Sequence, residues 1–173
     1  IVAFGASNSS RSINKAFASY AAKQVINARV KILDLNQFEM PIYSINREEQ
    51  NGVPALAYNF KTHLKEADGI IISLAEHNGA YTTAFKNILD WISRIEKDVW
   101  YNRPMLLLAT SPGGRGAKTV LDIAKSKFKF MNNNTIETFS LPSFKLNFDP
   151  EEGILDQELQ IAFQTSLTNF SNS

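Results

Sequence analysis

Short apolar runs alternate along this chain with segments of helical periodicity, and few folds accommodate that alternation. The runs read as strands over Ile1–Gly5, Arg29–Asp34, Gly69–Ala75, Pro104–Thr110 and Thr135–Phe139. Helical spacing joins Ala16, Phe17, Tyr20 and Ala21 after the first run, and Val53, Leu56, Ala57, Phe60 and Leu64 after the second. It returns in Ala84, Phe85, Ile88, Leu89, Ile92 and Ile95, then in Ala117, Val120, Leu121, Ala124, Phe128 and Met131. A last helix is expected over about Asp156–Phe170, with Leu159, Ala162, Phe163 and Leu167 on one side. Steps of three and four turn one apolar face toward a sheet.

Right-handed crossovers restrict such a chain to a few doubly wound topologies. The expected class is α/β, a flavodoxin-like three-layer sandwich whose five-stranded parallel sheet has the order 2-1-3-4-5. Ligands then bind at the carboxyl ends of the strands, beside the topological switch point. The stretch Asn36–Gly52, containing Met40-Pro41-Ile42-Tyr43, reads as a long connection able to fold over that end. Asn132-Asn133-Asn134 reads as a turn.

With 173 residues, 44% of them hydrophobic, the chain suits one domain over residues 1–173. The formal charge is +1 and no basic stripe accumulates, which argues against nucleic acid or a membrane surface as partner and for a small ligand. There is no cysteine, so disulfides, thiolate metal sites and a cysteine nucleophile are excluded, and a cytoplasmic setting is expected. His63 and His77 show no metal-ligand spacing. The apolar runs are strand-sized, so neither a transmembrane helix nor a signal peptide is expected in these residues. Ile1 already lies in a strand-like run, and starting residues are expected to precede it.

Three loops at the predicted ligand end carry the chemistry. The first, Gly5-Ala6-Ser7-Asn8-Ser9-Ser10-Arg11-Ser12-Ile13-Asn14, leads from a strand into a helix N-terminus. Such a junction offers unpaired N–H groups, hydroxyls, the Asn14 amide and the Arg11 charge to a phosphate, although the serines could equally serve as ordinary helix caps. The second, Ala75-Glu76-His77-Asn78-Gly79-Ala80-Tyr81, holds an Asn-Gly turn that lets main-chain groups approach a flat ligand, with His77 and Tyr81 available as walls or as packing. The third, Ser111-Pro112-Gly113-Gly114-Arg115-Gly116, exposes main-chain donors just before a helix.

Read in order, these segments resemble the NADPH-dependent FMN reductase family of flavodoxin-like azo, quinone and chromate reductases. Ser7, Ser12 and Asn14 match its Gly-Ser-x-Arg-x-x-Ser-x-Asn opening. Glu76 and Asn78 match its Pro-Glu-Tyr-Asn element, and Lys86, Asn87, Asp90 and Trp91 match its Leu-Lys-Asn-x-x-Asp-Trp helix. Ser111, Gly113, Gly114 and Gly116 match its Ser-x-Gly-Gly-x-Gly loop. Ser9 stands where the family has Arg, Ala75 where it has Pro and His77 where it has Tyr.

The resemblance implies FMN as cofactor and NADPH or NADH as substrate. It places the FMN phosphate on Ser7, Ser9, Arg11, Ser12, Ile13 and Asn14, and the ring between Ala75, Glu76, His77, Asn78 and Gly79 on one side and Ser111, Pro112, Gly113 and Gly114 on the other. Main-chain N–H groups of those two loops are candidates to stabilise the charge that hydride transfer places on the ring. A small electron acceptor would follow NAD(P)H at the same face, in ping-pong order. On the Lys86–Trp91 helix, a role in fixing loops is the stronger reading.

The resemblance also implies a homodimer, or a tetramer, and the helix Thr82–Ile95 could turn Trp91 or Ile95 toward a second copy. A non-catalytic FMN-binding or regulatory module is the alternative function. A phosphatase of related topology needs a cysteine in the first loop, and a phosphoacceptor domain needs carboxylates where this chain has Gly5 and Ala75.

Overall fold

The computed structural model describes residues 1–173. Its central sheet has the order β2-β1-β3-β6-β7 and is parallel throughout. The strands are β1 (Val2–Ala6), β2 (Lys31–Leu33), β3 (Ile70–Leu74), β6 (Met105–Thr110) and β7 (Ile136–Leu141). Counting only these, the observed order is the 2-1-3-4-5 expected, and each strand lies within two residues of its predicted bounds, β7 running on through Ser140 and Leu141.

Strand alternation divides the core in two. Phe4, Ile72 and Leu107 face a layer made by α3 (Ala55–Glu66), α4 (Thr83–Ile92) and α5 (Lys118–Lys129). Ala3, Ile71 and Leu106 face α1 (Ile13–Lys23) and α7 (Gln157–Ser171). A sheet covered on both faces explains why its central strands are continuous apolar runs.

Several small elements were not legible as such. The Asn36–Gly52 connection contains a 3-10 turn, Leu35–Phe38, and a two-turn helix, α2 (Ile45–Asn51), capped by Ser44. The second loop is a hairpin of β4 (Glu76–His77) and β5 (Ala80–Tyr81). After β7 come a single turn, α6 (Phe144–Asn147), and a second hairpin of β8 (Phe148–Asp149) and β9 (Gly153–Ile154). No helix is long and apolar enough to cross a membrane.

Candidate functional site

The first, second and third loops leave the carboxyl ends of β1, β3 and β6, which are neighbours in the sheet. Their convergence begins with Gly5, where an added Cβ would lie 2.3 Å from the Lys15 nitrogen. Only glycine lets the start of α1 sit this close to β1. The turn between them is a ladder of serine contacts: Ser7 accepts from the Ser9 N–H at 3.2 Å, Ser9 from the Arg11 N–H at 3.3 Å, and Ser12 from the Lys15 N–H at 3.1 Å.

Ser12 is therefore the helix N-cap, and its hydroxyl proton remains free to donate. The first-turn N–H groups of Ile13 and Asn14 have no acceptor within the helix, and the exposed Arg11 guanidinium has no ion-pair partner. Main-chain donors, a hydroxyl and a positive charge thus meet at one helix end, an arrangement that attracts a phosphate.

Asn14 departs from the expectation. Its side chain is buried, donates to the Thr110 carbonyl at 3.1 Å, and accepts from the Ser73 hydroxyl at 2.7 Å and the Thr110 N–H at 3.2 Å. The amide is spent tying α1 to β3 and β6, so Asn14 can serve a phosphate only through its backbone. Ser7, also buried, shapes the turn in the same indirect way.

In the second loop Asn78 and Gly79 have φ of 53° and 75°, the values a two-residue hairpin turn demands. Neither of their N–H groups donates within the protein. The Glu76 side chain, expected beside a ligand, instead accepts from the Val120 N–H at 3.0 Å. It caps α5 from outside, because Ala117 at that helix start offers no side-chain acceptor.

Tyr81 lies under the hairpin, stacked on Phe128 at 6.3 Å and edge-on to Phe85 at 5.4 Å. Burial pushes its hydroxyl pKa up to about 12. Tyr81 packs among these rings and lines a pocket on the α4–α5 side with Lys86 and Lys127, whereas the His77 side chain is exposed and makes no hydrogen bond.

The third loop is held by the Ser111 hydroxyl on the Gly113 carbonyl at 3.2 Å and by the Ser143 N–H on the same oxygen at 3.0 Å. At Gly116 the backbone requires glycine, with φ 58° and Ser140 Oγ 2.4 Å from an added Cβ. Gly113 and Gly114 differ, since φ is ordinary there and nothing lies within 4 Å of an added Cβ. Nothing in the protein demands glycine at those two positions, and their N–H groups, beside exposed Pro112, donate to no protein acceptor. They form a bare floor of main-chain donors.

The Lys86–Trp91 motif acts at a different place. Asn87 accepts from the Tyr43 N–H at 2.8 Å and donates to the carbonyls of Met40 and Pro41 at 3.0 and 3.2 Å. Trp91 donates to the Pro41 carbonyl at 2.7 Å and meets the Tyr43 ring edge-on at 5.0 Å. Arg94 holds Glu48 at 2.9 and 3.1 Å, and Glu48 also accepts the Tyr43 hydroxyl at 3.0 Å.

Residues 39–44 are thereby strapped onto α4, closing a pocket of about 320 Å³ against Asn8 and His77 of the first and second loops. Lys86 and Asp90 form an exposed pair along the helix. Trp91 and Trp100 are buried, which corrects the expectation that aromatics of this region face a second copy. The strap is the Met40–Tyr43 part of the connection expected to fold over this end, and Asn87 and Trp91, four residues apart on one helix face, fix it as the loop-fixing reading of their helix expects.

Known proteins align with this arrangement. The family model described as NADPH-dependent FMN reductase matches residues 1–145. The chain is 34% identical over 92 residues to an NADPH azoreductase of Bacillus sp. (strain OY1-2), covering 53% of this chain and 49% of that protein. To a quinone reductase of Escherichia coli (strain K12) it is 28% identical over 92 residues, covering 53% and 46%. The chain spans about half the length of these curated relatives. Among solved structures, the flavoenzyme NAD(P)H:(acceptor) oxidoreductase FerB from Paracoccus denitrificans superposes with a TM-score of 0.74 at 19% identity, over 99% of this chain and 93% of that one. At that identity the likeness speaks for the fold.

Proposed function

We propose, from the premise that this chain belongs to the NADPH-dependent FMN reductase family, that it is an FMN-dependent oxidoreductase passing hydride from NAD(P)H to a quinone, an azo compound or free flavin. The observation that carries this reading is the bare floor at Gly113 and Gly114, two glycines that the protein's own packing does not require, beside a helix end with free donors. That surface fits FMN. Arg11, Ser12 and the N–H groups of Ile13 and Asn14 would hold the phosphate; Asn78, Gly79, Gly113 and Gly114 would offer main-chain donors to the ring. Ser9, Glu76 and Ser111 support them through hydrogen bonds that shape the loops.

When bound, FMN supplies the two-electron chemistry, taking hydride from NAD(P)H and returning electrons to the acceptor. The chain's contribution is binding, orientation and a fixed field. Donors already held by loop geometry stabilise negative charge at no reorganisation cost. No side-chain acid or base is needed for hydride transfer itself. The two substrates take turns at the flavin, so that NAD(P)+ leaves before the acceptor is reduced, in ping-pong order.

One domain over residues 1–173, a cytoplasmic setting and assembly as a homodimer or tetramer belong to the same proposal. With Trp91 and Trp100 buried, an interface would fall on the α5 face, where Phe130 and Ile123 are exposed. A monomer mass by light scattering at micromolar concentration overturns the assembly.

The test of function is spectroscopic. The purified protein is expected to bind FMN and turn yellow, and anaerobic NADPH is expected to bleach it rapidly. Bound flavin that neither NADPH nor NADH bleaches would favour a carrier or regulatory module, and failure to bind FMN would overturn both readings.

A further inference from the structure

Of the residues set around FMN above, His77 alone lines the pocket closed by the strap. Its apolar lining comes from Leu35, Phe38, Met40 and Ile42 on the strap side and from Ala84 and Ile88 on α4. Its polar lining falls into two groups. Asn36, Thr82 and Asn87 are committed, Asn36 to the Asp34 carboxylate at 2.8 Å, Thr82 to the Ala6 carbonyl at 2.8 Å and Asn87 to the strap. Asn8, His77 and Thr83 make no side-chain hydrogen bond, and neither does the Glu39 carboxylate.

At about 320 Å³ the pocket stands at the lower end of the range for small-molecule sites, enough for one or two fused rings and too little for a whole dinucleotide. Apolar walls suit a flat hydrocarbon body. Uncommitted amide, imidazole and hydroxyl groups suit carbonyl oxygens on its edge, since each can donate a hydrogen bond. Glu39 is the one charged residue in the lining, and a carboxylate repels an anion.

We propose that this pocket is the acceptor subsite, built for a neutral one- or two-ring quinone, and that Glu39 sets its discrimination against anionic acceptors such as sulfonated azo dyes. Asn87 and Trp91 act in it as positioning residues, by fixing the strap that forms one wall. The proposal rests on the oxidoreductase reading above and names the substrate class of that enzyme.

The test separates the two. Ala84→Phe fills the pocket from α4 and leaves in place the donors assigned to FMN, none of which lines it, and binding of FMN and of 1,4-naphthoquinone to the FMN-loaded protein is measured by calorimetry. The expected result is wild-type FMN affinity with naphthoquinone affinity reduced about tenfold or more. Unchanged naphthoquinone binding overturns the proposal, and so does loss of FMN binding in a protein with native circular dichroism, which would give the pocket to the flavin.

Glu39→Gln, at an exposed position with no partner, supplies an independent arm that does not depend on Ala84→Phe folding. The KM for methyl orange is expected to fall about fivefold, while that for 1,4-naphthoquinone stays constant. Equal changes for both acceptors, or none, overturn the assignment of Glu39. If wild-type protein takes up no FMN or is not bleached by NADPH, the oxidoreductase reading fails; the pocket is then still tested by direct naphthoquinone titration of the wild-type protein and its filled variant.

Discussion

Glu76, in the hairpin after β3, and Val120, in the first turn of α5, are joined by a 3.0 Å hydrogen bond across 44 residues of sequence. One carboxylate thus orients the second loop and stabilises the helix that follows the third. Glu76→Ala is expected to cost about 1–2 kcal/mol of stability, as loss of a helix cap does. It should weaken FMN binding as well, whereas Glu76→Gln, which keeps an acceptor, should retain most of both. Urea denaturation and flavin titration measure the two effects separately.

Arg11 and Ser12 are expected to divide by experiment. Arg11→Ala removes an exposed charge that supports nothing else, so stability should hold while FMN affinity falls by about 1.5–3 kcal/mol, the range of a charge-assisted hydrogen bond. Ser12→Ala should lower both, adding the loss of a cap worth about 1 kcal/mol. Unchanged FMN affinity in the folded double variant would remove this loop from the site.

Asn14→Ala should be the most damaging change in the first loop, although it leaves every exposed donor in place. It removes the side-chain partner of the buried Ser73 hydroxyl and of the main-chain N–H and carbonyl of Thr110, at about 2–3 kcal/mol or more. A urea midpoint equal to wild type would contradict the role assigned here.

Asn87→Ala should release the strap without unfolding the sheet. The Tyr43 N–H loses its acceptor, and its hydrogen exchange should accelerate at least tenfold, a local opening change of about 1.4 kcal/mol. Exchange in β3 and β6 should stay slow.

Lys15 and Asp34 link α1 to the end of β2 at 2.5 Å, and that lysine, with the Asn36 N–H, holds the Asp34 carboxyl below its usual range. A lowered carboxyl pKa stabilises the fold above the ordinary value of about 3.9, and that part is lost as pH falls through the lowered one. Asp34→Asn should therefore lose stability near pH 7 and show a flatter acid limb. Parallel acid limbs for variant and wild type would exclude the linkage.

The strands and their order were legible because five apolar runs can be buried on both faces in few ways, and Asp156 announced its helix by capping it. The hairpin at Asn78-Gly79 was legible in principle, since Asn-Gly flanked by two short extended pairs is a strong turn signal. Helix α2 was not, because none of its residues is buried and so no periodicity marks it. Within the site, exposed and buried groups differ in how far a local pattern reaches. Arg11 and His77 stand open, whereas Asn14, Glu76 and Tyr81 are engaged by partners far along the chain that no local pattern could reveal.

Asn87 and Trp91 both donate to the Pro41 carbonyl, from successive turns of α4. Two donors one turn apart that converge on a single oxygen act as a key in a slot: a roll of the helix about its axis pulls them off together, and a slide along it takes them away in opposite senses. The helix that begins at the second loop is therefore indexed to the connection leaving β2. Any molecule that shifts one of these segments must move the other, so the outer wall of the pocket and the base of the hairpin behave as one mechanical piece.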